Sequence, residues 1–202
     1  MLRLHDFLES GNGYKVRLLL TQLEIPFEWI EHDILRGETR TPTYLALNPN
    51  GRIPLLELED GKCLAESNAI QWYLAEGTRF LPDERFLRAQ VLQWLFFEQY
   101  SHEPYIAVVR FWAHSGTLDE HADEIDARRA RGHEALAVME NHLAPRSWFV
   151  GDAASIADIG LYAYTHVAAE GGFDLSAYPA IQSWLHRVRT LPGHIPIDFQ
   201  SF

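Results

Sequence analysis

The sequence predicts a small α/β unit over residues 1–77, a linker at 78–83, and an all-helical part over 84–202. Three observations carry this. Strand-like and helix-like patterns alternate only before Gly77, in the order β-α-β and then β-β-α. Asp60-Gly61, a strong short hairpin signal, lies within that stretch. Beyond Asp83 the apolar residues recur at helical spacing in long runs with no hairpin signal. Thr78 to Asp83, containing Pro82, suits a boundary between the two parts.

Each element has its own signal. Leu2 to Phe7 alternates as a short strand. Glu9-Ser10-Gly11-Asn12-Gly13 is a turn-forming cluster, and Val16, Leu19, Leu20 and Leu23 then make the apolar stripe of a helix from about Tyr14 to Glu24, ended by Ile25-Pro26. Phe27 to Asp33 is a second strand, and Gly37 to Leu47 an irregular or short helical connection broken by Pro42. Pro54 leads a hairpin in which Leu56 and Leu58 alternate with Glu57 and Glu59, the chain turning at Asp60-Gly61 and returning through Lys62 to Ala65. Ser67 is placed to cap a helix containing Ile70, Tyr73 and Leu74, closed by Gly77.

In the helical part, Glu84 to about Trp112 reads as a long helix kinked or divided at Pro104 and stopped by Ser115-Gly116. Asp119 to Leu143 is a second long helix. Ser155-Ile156-Ala157-Asp158 has the form of a capping box before an apolar run, and Pro179 opens a last helix that Pro192-Gly193 ends.

Bulk properties limit the function. Of 202 residues 47% are hydrophobic, ordinary for a globular chain. A net charge of −11 and a pI near 5.3 disfavour nucleic acid or an anionic membrane as partner. The single cysteine, Cys63, excludes an intrachain disulfide framework and an all-cysteine metal site, and reads as an inert small side chain. The ten histidines are scattered without metal-ligand spacing. MLRLHDFLES lacks the pattern of a secretory signal, and no apolar run has the length of a membrane helix, so a cytoplasmic protein is expected.

Two places suit a small zwitterion or anion. Ser10 and Asn12 lie where open N–H groups and the positive end of a helix favour negative charge, including a ligand's thiolate. Helix capping by Ser10 and a tight turn at Asn12 is the plainer local reading. Glu66 and Ser67, an acid and a hydroxyl ending a hairpin at a helix start, are the second place.

SGNGYKVRLLL, NPNGRIP, LAESNAIQWYL and the SIAD within GDAASIADIGLYAY, in this order and spacing, resemble the cytosolic glutathione transferases across essentially the whole chain. The resemblance implies an N-terminal thioredoxin-like domain, a C-terminal helical bundle and a homodimer. Ser10 and Asn12 look like the thiol-contacting pair of bacterial serine-type or Nu-like members; the lack of a cysteine there departs from the beta and omega patterns. Ile53, before a cis Pro54, would pair its backbone with the cysteinyl part of glutathione, while Glu66 takes the ammonium and the Ser67 hydroxyl and N–H take the carboxylate of the γ-glutamyl end. Arg40 and Arg52, with Lys15 behind them, are the candidates for the glycine carboxylate, Arg40 being preferred. Tyr105, Arg110 and Trp112 would line an electrophile pocket facing Ser10.

The implied activity is conjugation of the glutathione thiolate to a small hydrophobic electrophile, glutathione being a co-substrate, with no metal or other cofactor. The alternatives are glutathione-dependent disulfide or peroxide reduction, a more distant isomerisation, and a non-catalytic binding protein keeping the same fold.

Overall fold

A computed structural model describes residues 1–200. They form two compact units. One contains Met1–Glu76 together with the chain from Pro192 onward; the other is Gly77–Leu191.

The first unit runs β1 (Leu2–Asp6), α1 (Gly11–Gln22), β2 (Phe27–Glu31), α2 (Pro42–Leu47), β3 (Leu55–Glu57), β4 (Cys63–Ala65) and α3 (Ser67–Ala75). Its sheet has the order β2-β1-β3-β4, with β1 parallel to β2 and antiparallel to β3, and β3 antiparallel to β4. Leu4 pairs with Trp29 on one side and Leu56 on the other. The buried core joins Leu4, Leu55 and Leu56 of the sheet to Leu18 to Leu20 of α1 and Ile70 and Leu74 of α3. This is the thioredoxin-like arrangement, followed by a helical domain.

Several local expectations need correction. The Gly11-Asn12-Gly13 turn is already the first turn of α1, and Ser10 is its cap. The helix is not amphipathic: every residue except Asn12 and Thr21 is buried, Lys15 and Arg17 among them. Part of that cover is the chain after Pro192, because Tyr14 Oη donates to the Ile195 carbonyl at 2.7 Å and Arg17 Nη1 to that of Ile197 at 2.9 Å. Residues that the sequence grouped with the helical part therefore complete the α/β unit.

Pro42 opens α2 instead of breaking it, since a first-turn residue has no N–H to lose, and the Thr41 hydroxyl caps the helix. The hairpin loop spans Glu59 to Gly61 between the Leu58 N–H and the Lys62 carbonyl, with Gly61 at φ 80°. A three-residue loop of this kind needs a left-handed residue at its end. Ser67 is the first residue inside α3 and not its cap.

The second unit contains α4 (Arg85–Phe97), a π turn (Glu98–His102), α5 (Glu103–Ser115), α6 (Ala122–Leu143), α7 (Ile156–Thr165) and α8 (Pro179–Arg189). The helix pair α4 and α5 is divided by the π turn, with Pro104 in the first turn of α5, where its missing N–H leaves no bond broken. The expected linker is packed: Phe80 and Leu81 are buried, and the Ile156 N–H donates to the Phe80 carbonyl at 2.9 Å. All ten residues of α7 are buried. Its start carries the expected capping box, with Asp158 accepting from the Ser155 and Phe149 N–H groups and from Trp184 Nε1 at 3.0 Å. Among the described residues no helix is long and apolar enough to cross a membrane.

Candidate functional site

The N-terminus of α1 is set by contacts beneath it. Ser10, extended at φ −73° and ψ 120°, accepts from the Gly13 N–H at 3.2 Å, which leaves its hydroxyl proton to donate. No acid occupies the first turn, so the helix end keeps its preference for an anion. Gly13 rests on the Asp6 carboxylate, and Asp6 receives Arg17 Nε at 2.8 Å. Burial pushes Asp6 up to about 6, with Arg17 pulling the other way. Arg17 Nη2 also bonds the Leu8 carbonyl at 2.6 Å, tying the loop before Ser10 to the same point.

Asn12 reaches across to α3. Its Oδ1 accepts from Lys15 Nζ at 2.8 Å and from Ser67 Oγ at 3.1 Å, and Lys15 Nζ lies 3.4 Å from Ser67 Oγ. The hydroxyl of Ser67 is thus spent inside the protein, leaving its backbone N–H as the group that the start of α3 offers to an anion. Glu66, exposed and immediately before α3, has φ 70°. A glutamate held there is strained, and such strain persists where the surroundings require it.

The third part is the loop before β3. The Arg52 carbonyl accepts from Tyr44 Oη and Asn48 Nδ2, each at 2.8 Å, and Arg40 Nη1 donates to the Asn50 carbonyl at 2.9 Å. Ile53-Pro54 is cis. Arg40 therefore braces the segment leading to Ile53, whereas the Arg52 side chain projects exposed from it. Tyr44, whose phenol is raised by burial, also packs edge-on to His5 and His32, which stack with Nδ1 and Nε2 2.9 Å apart.

In the helical unit the expected trio is divided. Tyr105 is half-buried. Arg110 is buried and donates to Glu170 at 2.6 Å; His114 Nε2 lies 2.7 Å from the same oxygen. Burial raises the Glu170 carboxyl, but these two neighbours outweigh it and hold the group below its usual range. Trp112 is buried between a stacked His121 ring at 3.8 Å and the Arg128 guanidinium at 4.9 Å. Arg110 and Trp112, expected as pocket walls, are thus held among side chains of their own helical unit.

Two family models cover most of the chain: the glutathione S-transferase N-terminal domain at residues 10–76 and the C-terminal domain at 89–192. The chain belongs to the glutathione S-transferase family. It is similar to the crystal structure of a glutathione S-transferase from Pseudomonas fluorescens [Pf-5], with 56% identity and a TM-score of 0.95 over 97% of this chain and 98% of that one. It is 30% identical to the disulfide-bond oxidoreductase YfcG of Escherichia coli over 93% of this chain and 90% of that protein. A glutathione transferase structure from Phanerochaete chrysosporium, holding oxidized glutathione, is 25% identical with a TM-score of 0.85, covering 95% of this chain and 90% of that one.

In this member of the family the residues read from the sequence at positions 10, 12, 66 and 67 gather at the starts of α1 and α3. Lys15, weighed in the sequence only as a distant surface cation, is instead fully buried between them. Its position three residues after Asn12, on the same helix face, was the available signal. Cys63 is half-buried on the edge strand β4, and burial, then Glu57, pushes its thiol up, which disfavours the thiolate form.

Proposed function

We propose that the protein is a glutathione transferase of the serine-type, Nu-like kind, binding glutathione as a thiolate and joining it to a small apolar electrophile. The observation that carries this is the 3.1 Å hydrogen bond between Asn12 and Ser67, which joins an anion-favouring helix start at α1 to a second one at α3. Glutathione has a thiol and an α-amino acid end separated by a short chain, and the two helix starts suit them in turn. The γ-glutamyl carboxylate takes the Ser67 N–H, and its ammonium takes Glu66. The cysteinyl backbone pairs with Ile53, and Arg40, with Arg52 beside it, faces the glycine carboxylate.

The sulfur then lies at the start of α1, where the Ser10 O–H, the Asn12 amide and the helix end stabilise the thiolate over the thiol. A free thiol titrates near 8.5, so stabilisation by one or two units makes the nucleophile abundant at neutral pH. The thiol proton leaves to solvent, the sulfur forms a bond to the electrophilic carbon, and that carbon's electron pair departs with a leaving group or into the unsaturated system. Positioning and thiolate stabilisation are the protein's contribution.

Titrating the thiolate absorbance of the glutathione complex tests this. The midpoint is expected below that of free glutathione, rising in Ser10→Ala and Asn12→Ala; an unshifted wild type would sink the mechanism. A second reading, glutathione-dependent disulfide reduction, is favoured by one observation: with no cysteine in the first turn of α1, both exchanging thiols can be glutathione's own. Turnover of a disulfide but not of chlorinated or unsaturated electrophiles would select it. Calorimetry without a glutathione signal would instead select a non-catalytic role.

A homodimer is also part of the proposal. Phe86, Phe96 and Tyr100 are 66%, 69% and 81% exposed along one side of α4 and its following turn, with Leu92 beside them. An aromatic stripe of this length on a helix suits a covered surface, and a second copy of the chain is the occupant the family implies.

A further inference from the structure

His5, on β1, and His32, just after β2, meet through ring nitrogens 2.9 Å apart, with the rings stacked at 17°. Nitrogens at that distance need one proton between them, so one imidazole donates and the other accepts. Counting protons gives the contact a limit. With one ring charged, His5 gives one N–H to His32 and the other to Glu57 on β3, 3.4 Å away. With both rings charged neither has a lone pair left, and two cations face each other in a partly buried place. His5 is 6% exposed, whereas the His32 side chain is half-buried and has solvent to turn to. The backbone of His32 is held, since its N–H donates to the Asp6 carbonyl at 2.8 Å.

The pair supports Tyr44. That ring lies edge-on to both imidazoles, 6.0 Å from His5 and 4.8 Å from His32, and its hydroxyl donates to the Arg52 carbonyl at 2.8 Å beside Asn48 Nδ2. The Arg52–Ile53 peptide is trans and planar, so fixing that carbonyl on Tyr44 and Asn48 points the Ile53 N–H the opposite way.

We propose that the His5–His32 contact is a proton-sensitive support of the glutathione site, a second added proton releasing His32 and Tyr44 and weakening the ligand at low pH. The inference rests on the reading that Ile53 pairs with the cysteinyl backbone. Glu57, itself bonded by Arg3, faces His5; Glu38 faces His32; Asp6 and Cys63 act on Tyr44. Burial first, then His5, holds His32 below its usual range, and Glu38 offsets them only in part. A histidine lowered in this way keeps its contact near neutral pH and loses it as pH falls through the lowered value, below about 6.5.

Calorimetry of the whole protein with S-methylglutathione tests this. The methyl group removes the thiol, and the remaining carboxyls and amine, near about 3.5 and 8, hold their charges between about pH 5 and 7. Wild-type affinity is expected to fall about tenfold from about pH 7 to about pH 5, one unit's difference in proton affinity between free and bound protein. In His32→Gln, which keeps a hydrogen-bonding side chain that does not titrate, the fall should shrink below about twofold. Tyr44→Phe keeps the ring and removes only the bond to Arg52, so it should flatten the profile as well. A flat wild type overturns the inference. So does a full tenfold fall in His32→Gln, which would assign the dependence to Asp6, or in Tyr44→Phe, which would mean that the pair does not act through Tyr44. Circular dichroism at each pH is the folding control. Should a variant not fold, nuclear magnetic resonance of the wild type decides: the Ile53 amide signal is expected to move with the midpoint of the His32 ring protons, and separate midpoints overturn the proposal. Wild type that does not bind at about pH 7 refutes the glutathione reading and this inference with it, whereas binding without pH dependence refutes the inference alone.

Discussion

Gly13 stands against Asp6 with no room for a side chain: a Cβ on Gly13 would fall 1.5 Å from Asp6 Oδ1. The glycine is thus a packing requirement of the helix start that carries Ser10 and Asn12. Gly13→Ala should force α1 off the end of β1 and cost about 2 kcal/mol or more, as overpacking in a full interior does. Thermal unfolding should show a fall in Tm of about 5 °C, accompanied by loss of glutathione binding. A stable variant with intact binding would mean that the contact yields easily.

Glu66 supplies a separation of stability from binding. Its φ of 70° suits glycine and strains a glutamate. Glu66→Gly is expected to stabilise the fold by about 1 kcal/mol while weakening glutathione at least tenfold through loss of the ammonium partner. Chemical denaturation and calorimetry measure the two effects. A variant both weaker in binding and less stable would contradict the strain argument.

Asp158 carries a signed pH dependence. Burial raises its carboxyl to about 6, against hydrogen bonds from Ser155, Phe149 and Trp184 that lower it. An acid raised on folding contributes stability that is fully present below its unfolded value and is lost as pH rises through the folded one. Asp158→Ala should cost about 3 kcal/mol by removing the cap and stranding buried N–H donors. That cost should be larger near about pH 4 than near about pH 7; a cost that grows with pH would refute the assignment.

The α4 stripe leads to an assembly prediction. Phe96→Glu combined with Tyr100→Glu places charges on a face that is already exposed in the single chain, so folding should be unaffected. Sedimentation is expected to show a dimer for the wild type and a monomer for the variant. An unchanged dimer would move the interface elsewhere.

Much of the fold was legible because its signals are local. The Asp60-Gly61 turn, the Ser155 and Asp158 capping box and the glycine after α5 each act within a few residues, and each appears in the structure close to where the pattern placed it. The sequence was less informative where a residue's partner is distant. Pro42 looked like a breaker because its benefit as a first-turn residue depends on where α2 begins. Lys15 reads only as a distant candidate for a carboxylate, and Arg17 carries no signal, since neither Ser67 nor the carbonyl of Ile197 is near them in the chain. The partners of Arg110 and Trp112 are equally remote or unsignalled, Glu170 lying 60 residues on and the Arg128 guanidinium over the Trp112 ring coming from another helix.

By itself, then, the sequence determined the alternation of an α/β unit with a helical one, the four motifs that mark the glutathione transferases, and the candidate site positions 10, 12, 66 and 67, all through local propensity and spacing. Only the tertiary structure decided how those positions are used. It spends the Ser67 hydroxyl on Asn12, seats Gly13 on Asp6, buries Lys15 between two helix starts and returns the chain after Pro192 to α1. Hydrogen-bond direction and burial depend on which distant groups are brought together, and no window of neighbouring residues contains that information.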